Sequence, residues 1–595
     1  MGSNPSSSSP AAPQSAGKSV TGSSIVIFIA GILVAAIAAI HLFKTNPSAG
    51  LWSQGYDPMG HWWISTTFAA LPIVVLLGAM AVLRIKAHFA ACAGLLTALA
   101  VAMLAFHMPL RLGLTAATYG AGYGLFPICW VILPVIFLYD LTVKTGAFVT
   151  LQESLTNITD DSRLQLLLIA FALGAFFEGT SGFGTPVAVC GAILISLGFR
   201  PLQAAGLSLL ANTAPVAFGG LGIPIVALHG VTGLDLLLLS KTISVILVLF
   251  CLIVPFWVVW VYAGFRAMLE VWPAILVASL TFATAQLLMA TFFGLTLVAI
   301  VASTSTIFAL VVFLRFWKPK RVLNALNQDI TGHQRKRFDH STAKVFKAWM
   351  PWLVLSAVVF VWGIPQLSHL LDTASTLRFN VAGLHNFIQR MPPVVAKPTA
   401  EPAVFTLNWL TATGTGILVA AIIAGLLMGL GPVTLFKCFF RTLFNIRFAV
   451  ITIAAMMAIG YVTRFCGLDA TLGLAFARTG SLYPFFGSLI GWLGVASTGS
   501  DTSSNVLFGS LQVMTARQIG VSPVLMASAN SAGGVMGKMI AAPSIVVAST
   551  ATRAYGQEGT ILRYVFLHSV ALAALVGVVV YLMAYVPPFT SLVAR

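Results

Sequence analysis

Charged side chains are scarce in this chain of 595 residues: Asp, Glu, Lys and Arg together make up 8% of it. A soluble domain carries about a quarter charged residues. Hydrophobic residues reach 58% instead. The composition therefore excludes a conventional soluble enzyme. It predicts an all-α polytopic membrane protein, because helices satisfy their own backbone groups in lipid.

Acidic residues are the rarer charge, with 15 Asp and Glu against 32 Lys and Arg, a net charge of +17. In a soluble protein this excess would suggest a nucleic-acid partner. In a membrane protein the basic residues instead collect in cytoplasmic loops. We therefore expect membrane lipid around the chain and no nucleic acid bound to it.

Motifs for metal binding and for enzymatic chemistry are missing from the sequence. The six cysteines form no C-x-x-C pair and the histidines form no H-E-x-x-H motif. The run from Gly533 to Lys538 is one residue short of a phosphate loop, and Met539 stands where that loop needs Ser or Thr. We expect no enzymatic activity, no metal and no cofactor.

Apolar runs long enough to cross a ~30 Å hydrocarbon core recur along the chain and predict about 12–15 membrane elements. A Ser/Pro/Gly-rich beginning predicts a disordered tail. The predicted organisation is, in order, a cytoplasmic tail at 1–24, an extra N-terminal transmembrane helix at 25–43, a first half at 51–316, a basic linker at 317–348 and a second half at 349–595.

The distribution of Lys and Arg predicts the orientation of the chain. Nine basic residues between Arg315 and Lys347 are opposed by two aspartates, which places the linker in the cytoplasm. By the same rule the N-terminal tail is cytoplasmic. The segment 369–408, with mixed charge and several prolines, is expected outside.

Two stretches share an order of features that indicates an internal repeat. The first begins Glu178-Gly-Thr-Ser-Gly-Phe-Gly-Thr-Pro186 and the second Ser497-Thr-Gly-Ser-Asp-Thr-Ser-Ser-Asn505. An apolar run, a Gly…Pro turn, an Ala-Asn element and a second Gly…Pro element follow in both. Such matching breaks predict two re-entrant Gly/Ser-rich hairpins, at 178–197 and 499–515, that meet near the membrane midplane. Close helix packing is the alternative, but it explains only the small residues.

Each predicted hairpin contains one carboxylate, Glu178 in the first and Asp501 in the second. Ionisable groups within membranes are expensive and usually functional. Both carboxylates are therefore candidates for proton coupling. For Asp501 an alternative is a capping role for the helix that follows.

The uncharged polar residues of these stretches could bind a small hydroxylated carboxylate, which needs both donors and acceptors. Backbone N–H groups at broken helix ends would hold its charge, with Lys538 as the alternative anchor. Back-bonding of Ser and Thr to helix carbonyls is the competing explanation for some of them. The predicted substrate-binding residues are Ser181, Gly182, Thr185, Asn212, Thr213, Thr502, Ser503, Ser504, Asn505 and Asn530.

These stretches resemble the signature sequences of bacterial lactate permeases, and the similarity extends in order over roughly 51–590. The resemblance implies a secondary, proton-linked importer of L-lactate, D-lactate and glycolate in the inner membrane. More remotely, it implies an elevator-type transporter with paired hairpins. Three charges fall outside the family pattern: Arg464, Asp469 and Arg478. Similar segments also begin at Leu51, Tyr123, Val143 and Thr411.

Two other functions are alternatives for a protein of this composition. A cation/proton antiporter would need two or more buried acids close together in one span, and the sequence offers one acid per repeat. A membrane scaffold or sensor would need a sizeable soluble output domain. The segments 317–348 and 369–408 are both too short to form one.

Overall fold

The computed structural model describes residues 51–593 except 82, 84, 157, 181–183, 332–340, 363, 396 and 555–556. The predicted tail at 1–24, the predicted helix at 25–43 and two predicted site residues, Ser181 and Gly182, lie outside the described residues.

Helices account for most of the described chain. Those before the basic linker are α1 (Trp62–Ala81), α2 (Ala87–Leu104), α3 (Leu110–Lys144), α4 (Ala147–Thr156), α5 (Ser162–Thr180), α6 (Thr185–Ser196), α7 (Pro201–Ala211), α8 (Gly219–Thr232), α9 (Leu236–Ala263), α10 (Phe265–Glu270), α11 (Trp272–Phe292) and α12 (Val298–Phe316).

The helices after the linker are α13 (Thr342–Trp362), α14 (Pro365–Ser375), α15 (Thr413–Leu427), α16 (Pro432–Asn445), α17 (Arg447–Cys466), α18 (Leu468–Ala477), α19 (Tyr483–Thr498), α20 (Asp501–Ile519), α21 (Pro523–Gly537), α22 (Ala542–Ala551) and α23 (Glu558–Tyr585). Short 3₁₀ turns lie at Val216–Phe218, Gly480–Leu482, Lys538–Ile540 and Phe589–Leu592.

Ten of the described helices are long and apolar enough to cross a membrane, or up to 12 if each of two bent pairs forms one span. This confirms the predicted all-α polytopic class. The pair α7 and α8 bends by 66° between its two parts. The break follows from the sequence, because Pro215 and the glycines at 219 and 220 cannot continue a regular helix.

A few short strands were not predicted by the sequence analysis. One, β1 (Trp52–Ser53), lies before α1, and the others lie in the segment between α14 and α15: β2 (Thr376–Asn380), β3 (Ile388–Arg390), β4 (Thr399–Ala400) and β5 (Val404–Asn408). One sheet has the order β1-β3-β4, with β1 parallel to β3 and β3 antiparallel to β4, and the other pairs β2 with β5 antiparallel.

The two stretches that share sequence features also share an order of elements. The first stretch consists, in order, of α5, a break, α6, α7, a second break, α8 and the 28-residue helix α9. The second stretch consists, in order, of α19, a break, α20, α21, a second break, α22 and the 28-residue helix α23. The common order supports the predicted repeat.

The ends of the first helix pair, α5 and α6, lie together at one side of the molecule. The Ser162 backbone N–H, where α5 begins, donates to the Leu323 carbonyl at 2.9 Å. Gly198, just after α6, lies against Ala325 of the same segment. The chain therefore enters and leaves at the side of the basic linker. The predicted bounds 178–197 cover only the turn and the second helix of this pair, because its first helix already begins at Ser162.

The second pair, α19 and α20, has its ends at the opposite side. Tyr483, where α19 begins, donates through its hydroxyl to Gln512 near the end of α20 at 2.8 Å. Gln518 Nε2 donates to the Pro393 carbonyl at 3.2 Å. The chain passes from the linker to the segment that holds Pro393 through α13, which is long enough to cross a membrane, and the short helix α14. We therefore infer that the two pairs enter from opposite ends of α13.

Glycines allow α19 and α21 to lie in backbone contact. A Cβ atom on Gly491 would lie 2.0 Å from the Asn530 carbonyl oxygen, and one on Gly533 would lie 2.0 Å from the Ser488 carbonyl oxygen. Backbone atoms cannot move aside as a flexible side chain can. The packing of these two helices therefore depends on the missing side chains.

Gly491→Ala is expected to destabilise the protein by about 1–3 kcal/mol or more, because the added methyl forces α19 and α21 apart. Its matched control is Gly78→Ala on α1, where no atom lies within 4 Å of the added carbon. Alanine favours a helix interior over glycine by about 1 kcal/mol, so the control should melt no lower than wild type. Thermal melting in detergent tests both; equal melting temperatures would contradict the packing argument.

Candidate functional site

Glu178 lies near the end of α5 and is 2% exposed. Its Oε1 accepts a hydrogen bond from Lys538 Nζ at 2.9 Å, and its Oε2 accepts one from Asn212 Nδ2 at 3.0 Å. Lys538, which is 8% exposed, follows α21 in the second stretch, 360 residues away in sequence. A buried ion pair therefore joins the two stretches at their breaks.

Irregular backbone surrounds this pair. A Cβ atom on Gly219 would lie 2.6 Å from Glu178 Oε1, so only glycine leaves room for the carboxylate at the start of α8. Gly220, Leu221 and Gly222 have left-handed φ angles of 52°, 58° and 82°. Such backbone is tolerated at membrane depth where protein or a cavity satisfies it, which is the situation predicted from the Gly…Pro pattern.

Asp501 is the first residue of α20 and is 3% exposed. Its Oδ2 accepts hydrogen bonds from Ser531 Oγ at 2.6 Å and from Asn505 Nδ2 at 3.3 Å. Its Oδ1 is buried and has no hydrogen-bond partner among the described residues. Lys538 and Glu178 both lie close enough to Asp501 to interact with it electrostatically.

The alternative role of Asp501 as the helix cap is wrong. Ser500 occupies the cap position of α20, and its hydroxyl oxygen accepts a hydrogen bond from the Ser503 backbone N–H at 3.2 Å. Asp501 is left free to face Ser531 and Asn505. The sequence could not separate the two positions, because Ser and Asp are equally good caps.

A chain of buried amides continues from Asp501. Asn505 Nδ2 also donates to the Pro224 carbonyl at 3.1 Å, and Asn505 Oδ1 accepts from Asn530 Nδ2 at 2.9 Å. Asn530 Oδ1 in turn accepts from Gln512 Nε2 at 3.2 Å. Two of the predicted residues, Asn505 and Asn530, thus lie in one network with Asp501.

Two other predicted residues donate their hydroxyls to backbone carbonyls. Thr213 Oγ1 donates to the Leu210 carbonyl at 2.8 Å, and Ser504 Oγ donates to the Gly491 carbonyl at 3.0 Å. The Thr213 bond is the back-bonding that was the competing explanation, whereas the Ser504 bond joins α20 to α19. Thr185 begins α6, and Thr502 is the half-buried second residue of α20. Their predicted part in substrate binding stays a prediction.

Three residues of this site were not among the predicted site residues: Lys538, Ser531 and Gln512. Ser531 belongs to the repeated Ala-Asn element, so its position beside Asn530 was a usable signal. Lys538 was considered only as an alternative anchor. Its ion pair with Glu178 depends on a contact between distant segments that no local pattern indicates.

The charges outside the family pattern have partners elsewhere. Arg464 pairs with Glu401 at 2.8 Å rather than with the nearby Asp469. The Arg478 guanidinium lies over the Trp62 ring, 4.3 Å from its centroid. In the described part of the chain, no group of three or more His, Cys, Asp or Glu side chains could hold a metal ion.

The fold and the buried ion pair between two helix breaks define the class of a multi-pass membrane transport protein. The family model described as L-lactate permease matches residues 65–587, and the chain belongs to this family. It is 41% identical to the L-lactate permease of Salmonella typhimurium over 543 residues, which are 90% of this chain and 98% of that protein.

A second relative is the glycolate permease GlcA of Escherichia coli, 41% identical over 551 residues, again 90% of this chain and 98% of the relative. Among solved structures, the YdaH transporter of Alcanivorax borkumensis gives a TM-score of 0.42 at 12% identity, covering 79% of this chain and 87% of that one. The sequence relatives are permeases rather than enzymes.

Proposed function

We propose that the chain imports lactate and glycolate across the bacterial inner membrane, each together with a proton, with its N-terminus in the cytoplasm. The observation that carries the proposal is the buried pair of Lys538 with Glu178, 2.9 Å apart at the meeting point of the two stretches. The relatives named as lactate and glycolate permeases supply the substrate class. They do not favour a cation/proton antiporter.

The coupling follows from competition for one cation. A buried charge is costly unless it is paired. With Glu178 ionised, Lys538 already has its partner, and the substrate carboxylate would be one negative charge too many. Once a proton neutralises Glu178, the substrate carboxylate takes its place beside Lys538. Proton and monocarboxylate therefore enter together, and the net charge of the site does not change.

The hydroxyl group of the substrate has a matching acceptor. Asn212 Oδ1 is buried and has no hydrogen-bond partner among the described residues, while its Nδ2 donates to Glu178. A hydroxyl on the carbon next to the carboxylate could donate to this oxygen. Lactate and glycolate share that group and differ by one methyl, worth only about 0.8 kcal/mol of burial, so one site can accept both.

Asp501 supplies a second place for a proton. Its Oδ1 is not hydrogen-bonded to any described group, and it lies within electrostatic reach of both members of the ion pair. Asn505 and Ser531 hold the other oxygen in position. In this proposal Asp501 shares the proton coupling with Glu178, and the neighbouring hydroxyl and amide groups complete the substrate site.

Transport in proteoliposomes tests the proposal. We expect an inward proton gradient to drive accumulation of labelled L-lactate, D-lactate or glycolate, and a sodium gradient alone to drive none. Propionate, which lacks the hydroxyl, should compete about five- to 150-fold more weakly, because an unpaired buried polar group costs about 1–3 kcal/mol. Accumulation driven by sodium but not by protons would refute the coupling; equal competition by propionate would refute the role of Asn212.

A further inference from the structure

A polar cavity of about 230 Å³ lies away from the ion pair, on the side of the molecule that holds the strands. Its walls come from the end of α8, the end of α17, the second part of α20 and the segment around Glu401. The residues that matter for its chemistry are Thr232, Arg390, Glu401, Arg464, Ser510 and Arg517.

The cavity carries excess positive charge. Glu401 is 3% exposed and pairs with two arginines, with Arg390 Nη2 at 2.8 Å and with Arg464 Nη2 at 2.8 Å. Arg517 is the third arginine of the wall, is exposed, and forms no ion pair within the described ranges. The buried Asp469 also interacts electrostatically with Arg464 and Arg390. Three arginines against two carboxylates leave an excess of one positive charge at the cavity, which favours an anion.

The cavity and the ion-pair site lie along one helix interface. α20 carries Asp501 at its start and Arg517 in its last turn. Ser510, in the cavity wall, lies nine residues from Asp501, or about 13 Å along a helix that rises 1.5 Å per residue. Ser510 Oγ donates to the Val231 carbonyl at 2.9 Å, so contacts between α8 and α20 separate the two sites.

A purely structural role explains part of this arrangement. Arg390 and Arg464 fasten the strand segment to the end of α17 through Glu401, and Arg464 Nη1 also donates to the Val231 carbonyl at 2.9 Å. This structural role explains why both Arg390 and Arg464 lie beside Glu401. It does not account for Arg517 facing the same open space.

We propose that the cavity between Arg390, Arg464 and Arg517 is a second binding site for a small monocarboxylate, which the substrate occupies before it reaches Lys538. The identity of the anion rests on the proposed function, whereas the positive potential of the cavity does not. Arg517 is the group with a free guanidinium for the carboxylate, because Arg390 and Arg464 are already engaged by Glu401.

Thiol labelling measures the potential of the cavity without using transport. Thr232 is half-buried, and its hydroxyl donates to the Leu228 carbonyl and accepts from the Leu234 backbone N–H at 3.3 Å. Both contacts are within a few residues of Thr232, so Thr232→Cys should be tolerated. On a background without the six native cysteines, we expect an anionic methanethiosulfonate reagent to react about tenfold faster than a cationic one of similar size at low salt. Arg517→Gln should reduce this ratio at least threefold.

The control for Arg517→Gln is Arg378→Gln, which removes the same charge from exposed strand β2 of the same segment and should leave the ratio unchanged. L-lactate at constant ionic strength should slow labelling of Thr232→Cys. The slowing should persist in the double variant Glu178→Gln, Lys538→Met, in which the central site has lost its charges.

Three outcomes would overturn the second site: no preference for the anionic reagent, an equal effect of Arg378→Gln, or loss of lactate protection in the double variant. Failure of the proposed function has a different signature. The wild-type protein would then not transport lactate in proteoliposomes, and lactate would not slow labelling, while the charge preference at Thr232→Cys would remain.

Discussion

Replacing Lys538 with methionine is expected to abolish lactate uptake and to destabilise the protein by about 3–5 kcal/mol. The loss of stability follows because Glu178 would be left as an unpaired buried charge, and removal of one partner of a buried pair costs that much. The loss of uptake follows because the substrate carboxylate loses the cation that holds it. Melting temperature in detergent and uptake in proteoliposomes measure the two effects separately.

The double variant Glu178→Gln, Lys538→Met separates binding from folding. With both charges gone, most of the stability should return, because no unpaired charge is buried. Uptake should stay absent. A double variant that folds and takes up lactate with a near-normal Michaelis constant would show that Lys538 does not hold the carboxylate. Backbone N–H groups and hydroxyls at the helix breaks would then be the anchor, as the sequence alone suggested.

Replacing Glu178 with glutamine is expected to abolish accumulation of lactate driven by a pH gradient while leaving exchange in place. Glutamine imitates the protonated carboxyl, so Lys538 is permanently available to the substrate but no proton travels with it. Counterflow of labelled against unlabelled lactate should therefore continue and lose its dependence on pH. Both activities are measured on the same proteoliposomes, which makes the wild-type protein a direct control.

Glu178→Asp serves as the matched variant, because it keeps a group that can be protonated while withdrawing it by one methylene from Lys538. It should retain proton-driven accumulation at a reduced rate. Full accumulation by Glu178→Gln would rule out Glu178 as the coupling group and would leave Asp501 as the remaining candidate. In that case Asp501→Asn, not Glu178→Gln, would separate exchange from accumulation.

The sequence by itself determined the class of the protein and the two carboxylates of its site. Scarce charge and long apolar runs permit few structures other than a helical membrane protein, because lipid leaves backbone groups no outside partner. A carboxylate near such runs is costly, so the one acid in each repeated stretch, Glu178 and Asp501, was a candidate for proton coupling. The paired Gly…Pro breaks located the irregular backbone that surrounds them.

Only the tertiary structure decided which groups these carboxylates meet. Lys538 lies 360 residues from Glu178, and Arg464 lies 63 residues from Glu401; no periodicity relates such positions. The strand that carries Arg390 and the strand that ends just before Glu401 are short and depend on pairing with other segments, as β3 does with β1 and β4. Whether a segment forms a membrane helix is a local property that its apolar composition determines. Which buried charges pair depends instead on which helix ends are brought together by packing.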